Sequence, residues 1–460
     1  MKKYPLTAAQ SMHYRWIKEY GTQQVAGLSV VASIQFELDF ELLEKCIREE
    51  YERYGCMRVR FTPVDKKGNV KQYLVQKDER DIPFKDLSNM SMEEADTLMQ
   101  SWAYETFDGD DIPMCEVTLV KLPDGYNGFF VHMDHRLIDS IGVLVMANDI
   151  IALYTHYKFG SDYPEELPDY ESVVEDDIKR AEDEKHFIRD KKFWDGLLDK
   201  WGEPLYSDIQ GEAVLAASRK KHKNESIRSA DIRRKELSVA VKDYSLEKDS
   251  VSFLDDFCKK NNLSMNDLLL LGLRTYLSKQ NSGQEDITIQ NFIARRTTAK
   301  EKYSGGSRTI MFPCRTVISE DTSFLDAAYM IQKMQTRVYL HSNYDPELIR
   351  KEIKKRYKTP KDTTYVSCYL TYMPMLAKVD NPLLTSIPVR AKWFANGAAT
   401  KKMYLTVSYT EDGGMNFSYH YQTAELSEKD IELLNYYLMR ILFRGAENPE
   451  KSVKEIIEMV

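Results

Sequence analysis

Three ionisable side chains, Asp134, His135 and Asp139, stand at the end of a mostly apolar run, Phe129 to Met133. The run reads as a buried strand, and a helical pattern begins directly after it. A histidine at such a strand-to-helix turn is aimed by rigid backbone, and imidazole is the side chain best suited to proton transfer near neutral pH. The helix start adds backbone N–H groups without intrahelical partners, which suit negative charge. The structural alternative is a histidine that merely pairs with nearby carboxylates. The chain has no GxSxG turn, no glycine-rich phosphate loop and no HExxH pattern to supply competing chemistry. His132 and His135 lack an evident third ligand, so no metal site is expected. A histidine without a serine or cysteine motif points to general-base catalysis. An amine or alcohol would lose a proton as it attacks an already activated acyl group, such as a thioester.

The elements that must position this cluster follow from periodicity and caps. Cys115 to Lys121 and Gly128 to Met133 read as strands joined by a turn-rich link, and Asp139 or Ser140 caps a helix to about Tyr157. Upstream, Ile34 to Leu38 reads as a strand and Asp39 as the cap of a helix over Phe40 to Tyr54. Met57 to Phe61 and Val70 to Val75 read as strands, and Ser91 to Tyr104 as a helix. A charged helix is expected from Val173 to Asp199. Gly211 to Arg234, poor in large apolar residues and rich in Lys and Arg, reads as a linker or surface loop. The second half repeats the alternation, with helices over Ser252–Lys260, Ser264–Lys279, Asp321–Leu340, Pro346–Tyr357 and Ser427–Leu442. Its strands fall at Ile287–Ala294, Thr309–Ile318, Tyr365–Tyr372, Tyr404–Tyr409 and Met415–Tyr421. Two α/β halves of similar size follow.

The totals agree with a globular protein of two lobes: 460 residues, 43% hydrophobic and 30% charged. A net charge of -8 gives no global pull towards nucleic acid or anionic membrane. The six cysteines are scattered without a CxxC pair, which argues against a zinc knuckle or a disulfide framework. The N-terminus lacks the apolar core of a signal peptide and no run reaches membrane-span length, so the expected compartment is cytoplasmic.

Asp134-His135-Arg-Leu-Ile-Asp139-Ser140 resembles the HHxxxDG core of the condensation domains of nonribosomal peptide synthetases, in the chloramphenicol-acetyltransferase-like, CoA-dependent acyltransferase superfamily. The second histidine is kept as His135 and the aspartate as Asp139. The first histidine has become Asp134 and the glycine Ser140. Other matches occur in family order. Thr7-Ala-Ala-Gln10 is similar to SxAQ, and Arg53 to Phe61, with Arg58 inside it, to RHExLRTxF. Phe193-Trp194 with Leu197-Leu198 is similar to FW-xx-L, Gly306 to Arg315 to GxFVNTxxxR, and His341 to Glu347 to HQDYPFE.

The resemblance implies an α/β (α+β) fold of two chloramphenicol-acetyltransferase-like lobes in a V-shaped pseudo-dimer with a central tunnel. The expected division is an N-terminal lobe at 1–175, a connecting helix and basic linker at 176–235, and a C-terminal lobe at 236–460. It implies a free-standing acyltransferase with His135 catalytic and Asp134, Asp139 and Ser140 supporting the motif. Asp139 would pair with an arginine from the C-terminal lobe, Arg296 or its neighbour Arg295; the bland alternative leaves both arginines in solvent. The donor would be an acyl-phosphopantetheine or acyl-CoA thioester, with no tightly bound cofactor. The partners would be an acyl or peptidyl carrier protein in trans and a small amine or alcohol acceptor. Tyr, Met and Trp residues within Met373 to Asn396 are candidate tunnel residues. Asp134 could raise the proton affinity of His135 or orient its ring. Asp134 and Asp139 also reproduce the DxxxxD spacing of heterocyclization domains, although Gly142 stands where that motif has serine. Further alternatives are a catalytically degenerate binder of carrier protein or ligand and an acyl-CoA-dependent O-acyltransferase. The Arg219-to-Lys223 run is either a solvated loop or a docking patch for an acidic carrier protein.

Overall fold

The structure is a computed structural model, and it describes residues 1–374, 384, 386–410 and 412–460. The chain forms two compact units that interleave in sequence. One comprises residues 1–182, 294–310 and 377–398, and the other residues 183–293, 311–376 and 399–460. Continuous lobes cut at 175 and 235 therefore do not describe the contacts. Two later segments join the first unit because Arg296 and Arg308 bond to Asp139 and Asp177, and because Val389–Phe394 pairs with Gly27–Ile34.

In the first unit, a sheet runs in the order Val389–Phe394, Gly27–Ile34, Asn127–Asp134, Cys115–Lys121, Phe84–Asp86. All neighbours are antiparallel except the last pair. Asn127–Asp134 lies at its centre, and all eight of its residues are buried. Phe129, Val131 and Met133 pack with Leu43, Ile47, Val143 and Met146 on one face. Phe130 packs with Val31, Met99 and Phe394 on the other. Burial on both faces explains why the run is apolar without period-two alternation.

The second unit has a six-stranded sheet in the order Ile310–Val317, Asp286–Ile293, Cys368–Met373, Met403–Tyr409, Met415–Gln422, Val239–Leu246. Helix Met265–Gln280 is buried along nearly its whole length. All six cysteines are buried and free. Among the described residues, no helix is long and apolar enough to cross a membrane.

Several expectations need correction. The strand expected at Ile34 to Leu38 lies earlier, at Gly27–Ile34, and 35–39 is irregular up to the Asp39 cap. The segment starting at Met57 is a 3-10 turn, Gly55–Arg58, before a short strand Val59–Phe61. The charged helix is two helices, Tyr170–Ala181 and Glu184–Trp201, because Asp183 accepts the N–H of His186 and caps the second. The supposed linker contains helix Ala213–His222, whose Lys221 and His222 both reach Asp231. Helix Ala8–Tyr20 and strands Val239–Leu246 and Val389–Phe394 were not expected.

Candidate functional site

The turn after Asn127–Asp134 is held by backbone bonds. His135 donates its N–H to Ala26 O at 2.6 Å, Asp134 donates to Met114 O at 2.9 Å, and Leu137 donates to Asp134 O at 2.8 Å. From Val131 to Ser140, only His135 and Ser140 are not buried. His135 is thus half-buried on an otherwise enclosed, pinned turn, with its Nδ1 atom buried.

Asp139 is 1% exposed and accepts five hydrogen bonds. Its Oδ1 accepts from Gly142 N at 3.0 Å, capping helix Ser140–Phe159, and from Arg296 Nη2 at 2.5 Å. Its Oδ2 accepts from Arg308 N and Thr309 N at 3.0 Å each and from Thr309 Oγ1 at 2.9 Å. Burial opposes its ionisation, but Arg296 and the Gly142 and Arg308 N–H groups outweigh burial and hold the carboxyl below its ordinary range. One carboxylate therefore fixes the start of the helix behind His135 and clamps segment 294–310 to it.

Of the two candidate arginines, Arg296 meets Asp139, and it also donates to Glu301 O and Gly306 O. Arg295 has a left-handed φ of 50° and a carbonyl that accepts from Arg308 Nε. Burial pushes its guanidinium down to about 10. Arg308 forms a two-bond contact with Asp177 at 2.8 and 3.1 Å. Gly305 and Gly306 bring this segment close, with φ of 71° and 77°. A Cβ on Gly305 would lie 2.5 Å from Cys56 Sγ, and one on Gly306 would lie 2.6 Å from the Tyr170 ring.

Asp134 is committed to Arg136. Its Oδ1 accepts from Arg136 N at 2.7 Å and Nε at 2.9 Å, and its Oδ2 accepts from Nη2 at 2.8 Å. The altered motif residue has thus acquired its own buried counter-charge two positions on. His132 bonds Ser29 Oγ through Nδ1 at 2.8 Å and stacks on Phe107, and burial pushes its imidazole below the ordinary range. Among the described residues, no three His, Cys, Asp or Glu side chains converge as a metal set.

The remaining motifs are mainly architectural. Thr7 and Gln10 form a capping box, and Gln10 Nε2 donates to Gln72 Oε1 at 2.9 Å. Arg58 binds the carbonyls of Val75, Gln76 and Glu52. In the second unit, Phe193 stacks on His341 at 4.2 Å while His341 Nδ1 meets Asp190 at 2.8 Å, so two motifs meet each other. Arg315 pairs with Asp286 through two bonds. Of the tunnel candidates within Met373 to Asn396, residues 375–383 and 385 lie outside the described residues.

One residue escaped the sequence reading. His13, on the buried face of helix Ala8–Tyr20, stacks on His135 with ring centroids 4.2 Å apart and planes 20° from parallel. The spacing Ala9, Met12, His13 announces a buried face, but not its partner.

A family model described as "Condensation domain" matches residues 1–459. Surfactin synthase subunit 1 of Bacillus subtilis (strain 168) is 22% identical over 98% of this chain, which spans 12% of that relative's length. The first condensation domain of the calcium-dependent antibiotic synthetase, solved with a substrate analogue, matches at a TM-score of 0.80. Its identity is 16%, with 99% of this chain and 98% of that one covered. A starter condensation domain of rhizomide synthetase, solved with C8-CoA, matches at 0.79, with 15% identity and coverage of 98% and 96%.

Proposed function

Because the chain belongs to the condensation-domain family, we propose that it is an acyltransferase that joins the acyl group of a phosphopantetheine thioester to an amine or alcohol, with His135 as general base. The observation that supports this reading is a half-buried histidine on a turn whose next four residues, Arg136 to Asp139, are buried and whose backbone is bonded at Asp134, His135, Arg136 and Leu137. The acceptor nitrogen or oxygen attacks the thioester carbon and gives its proton to His135. The carbon–sulfur bond breaks, and the thiolate leaves and takes a proton. Asp139 stays ionised and bonded, so it serves position rather than proton transfer. Gly142 and Val143 N–H groups are already bound by Asp139, so an oxyanion at this helix start would be met by Ser140 or Ile141. Asp134, bonded three times by Arg136, supports the motif by holding the turn.

A carrier protein in trans and a CoA thioester are the two donor forms to compare. The C8-CoA bound by the rhizomide synthetase domain motivates the second. A ligand-binding role without turnover is the competing reading, favoured by the exchange of the first motif histidine for Asp134. The test is mass-spectrometric product detection from acyl-pantetheine, acyl-CoA and acyl-carrier thioesters with mixed amines and alcohols, wild type beside His135→Ala. A product made only by wild type supports acyl transfer and names the donor. Background turnover by both across the panel favours the binding role, and cyclised products instead favour a heterocyclization reading.

A further inference from the structure

Charge is unevenly spread over the second unit. Residues 213–236 carry eight Lys and Arg against three Asp and Glu, and residues 350–362 carry seven against two. That is a local excess of ten in a chain whose net charge is -8. The fold ties the two segments together. Lys221 and His222, in the last turn of helix Ala213–His222, bond Asp231 at 3.0 and 2.9 Å. Asp231 belongs to a two-residue strand, Ala230–Asp231, paired antiparallel with Thr363–Thr364. Beside that ribbon, Ile232 N donates to Asp362 O at 2.9 Å and Arg234 Nε to Asp362 Oδ1 at 3.0 Å. Helix Pro346–Tyr357 ends at its cap, Lys358, five residues before Thr363. Some of the charge is answered locally: Arg356 bonds Glu352, Asp195 and Asp199, and Arg228 lies 3.6 Å from Asp286. Lys220, Lys223, Lys235, Lys355, Lys358 and Lys361 are exposed, and none of the six forms an ion pair among the described residues. Cations in a last turn offset the helix dipole, which accounts for a charge or two per helix. It does not account for lysines that continue through both caps and along the ribbon.

The surface itself says which polyanion it fits. None of the large, exposed apolar side chains lies in either segment, so there is no wedge for a lipid bilayer and no exposed aromatic platform for nucleotide bases. The excess of ten here leaves -18 on the remaining residues, so a membrane or a long nucleic acid would bring its charge against an acidic body. A compact acidic protein can cover the basic surface alone. The acyl-transfer reading brings one protein to this chain, the carrier that presents the thioester. Resting on that reading, we propose that the basic surface of residues 213–236 and 350–362 docks an acidic face of the carrier protein. The six lysines meet carboxylates on the carrier, and steering of this kind speeds encounter and fades with salt.

The test uses the full chain and a holo acyl carrier protein with an acidic surface, beside the same carrier with its surface carboxylates changed to amides. Lys220→Gln, Lys223→Gln, Lys355→Gln and Lys358→Gln are combined, which removes charge without placing a carboxylate at either helix end. Lys66→Glu with Lys67→Glu, at exposed positions of the first unit, lowers the net charge equally and serves as the control. Each exposed ion pair lost weakens binding roughly 1.4- to 5-fold. The quadruple variant, with wild-type circular dichroism, should therefore bind the carrier at least about fourfold more weakly by calorimetry. The control should bind like wild type, the amidated carrier should not distinguish the proteins, and added salt should narrow the difference. Equal binding by wild type and the quadruple variant, an equal loss in the control, or no carrier binding by wild type overturns the proposal. So does capture of single-stranded RNA or phosphatidylserine vesicles, and not of the carrier, by the same lysines. In turnover, the quadruple variant should raise KM for acyl-carrier at least about fourfold and leave acyl-pantetheine turnover unchanged. If wild type turns over no donor, the acyl-transfer reading fails, while the binding arm still decides the docking surface.

Discussion

Removing the Asp139 carboxylate should destabilise the first unit far more than an ordinary cap mutation, and the reason is the charge left behind. Asp139→Ala deletes the acceptor of five hydrogen bonds and leaves Arg296, whose side chain is 3% exposed, with the Glu301 and Gly306 carbonyls as its acceptors among the described residues. Loss of a helix N-cap alone costs about 1 kcal/mol. Removing one partner of a buried ion pair costs about 3–5 kcal/mol, because the remaining charge is uncompensated. The expected loss for Asp139→Ala is therefore about 4 kcal/mol. Arg296→Met should cost less, about 1.5–3 kcal/mol, since three N–H groups and the Thr309 hydroxyl still serve Asp139. The double variant strands no charge, so its loss should fall short of the sum by at least about 1 kcal/mol. Equilibrium urea unfolding followed by circular dichroism gives all three values, with Asp139→Asn as the milder variant if alanine does not fold. Additivity within about 0.5 kcal/mol, or a loss below about 1 kcal/mol for Asp139→Ala, would refute the reasoning.

The same carboxylate sets a pH dependence. Asp139 is held below its ordinary value of 3.8, and Glu301 is also depressed, by Thr297 and Arg180 against the effect of burial. Their stabilisation is complete above the ordinary carboxylate range and lost as pH falls through the depressed values, so acid unfolding should be shallower in Asp139→Asn. Glu50 runs the other way. Full burial, and next its neighbour Asp149, push its carboxyl well above 4.5, so its favourable contribution fades as pH rises past that value. Glu50→Gln should therefore gain stability relative to wild type between pH 5 and pH 8 in thermal melts, and a constant offset would contradict this. Gly306→Ala must place a methyl 2.6 Å from the Tyr170 ring at a φ of 77°, and should cost at least about 2 kcal/mol in the same urea assay.

What the sequence made legible was local. Asp39, Ser91, Asp139, Ser264 and Ser427 could be placed near helix starts because a short polar side chain before an apolar-periodic run has one main use there. Cys115 to Lys121 and the strand before His135 were readable from apolar content and turn residues. Gly27–Ile34 was displaced because its glycine, serines and alanine weaken the strand signal, though it pairs on both sides. Val389–Phe394 carries Arg390 and Lys392, whose guanidinium and ammonium groups respectively bond Asp96, so its polarity hid a sheet edge. The basic run at 219–223 looked like a solvated loop because its acidic partner, Asp231, follows a turn later. At the site, motif order pointed to Arg296 or Arg295. The left-handed backbone at Arg295 accompanies the different paths of the two side chains, and one sequence gives no sign of that turn. The His13–His135 stack joins two segments distant in the chain, and periodicity carries no information about such a pairing.

The central claim is that His135 accepts the acceptor's proton during acyl transfer, and single-turnover kinetics with the productive donor tests it most directly. The account predicts that His135→Ala, with wild-type circular dichroism and unchanged donor binding, loses about 10²–10⁴ in the acyl-transfer rate. A loss smaller than about tenfold in a folded, donor-binding variant would contradict it.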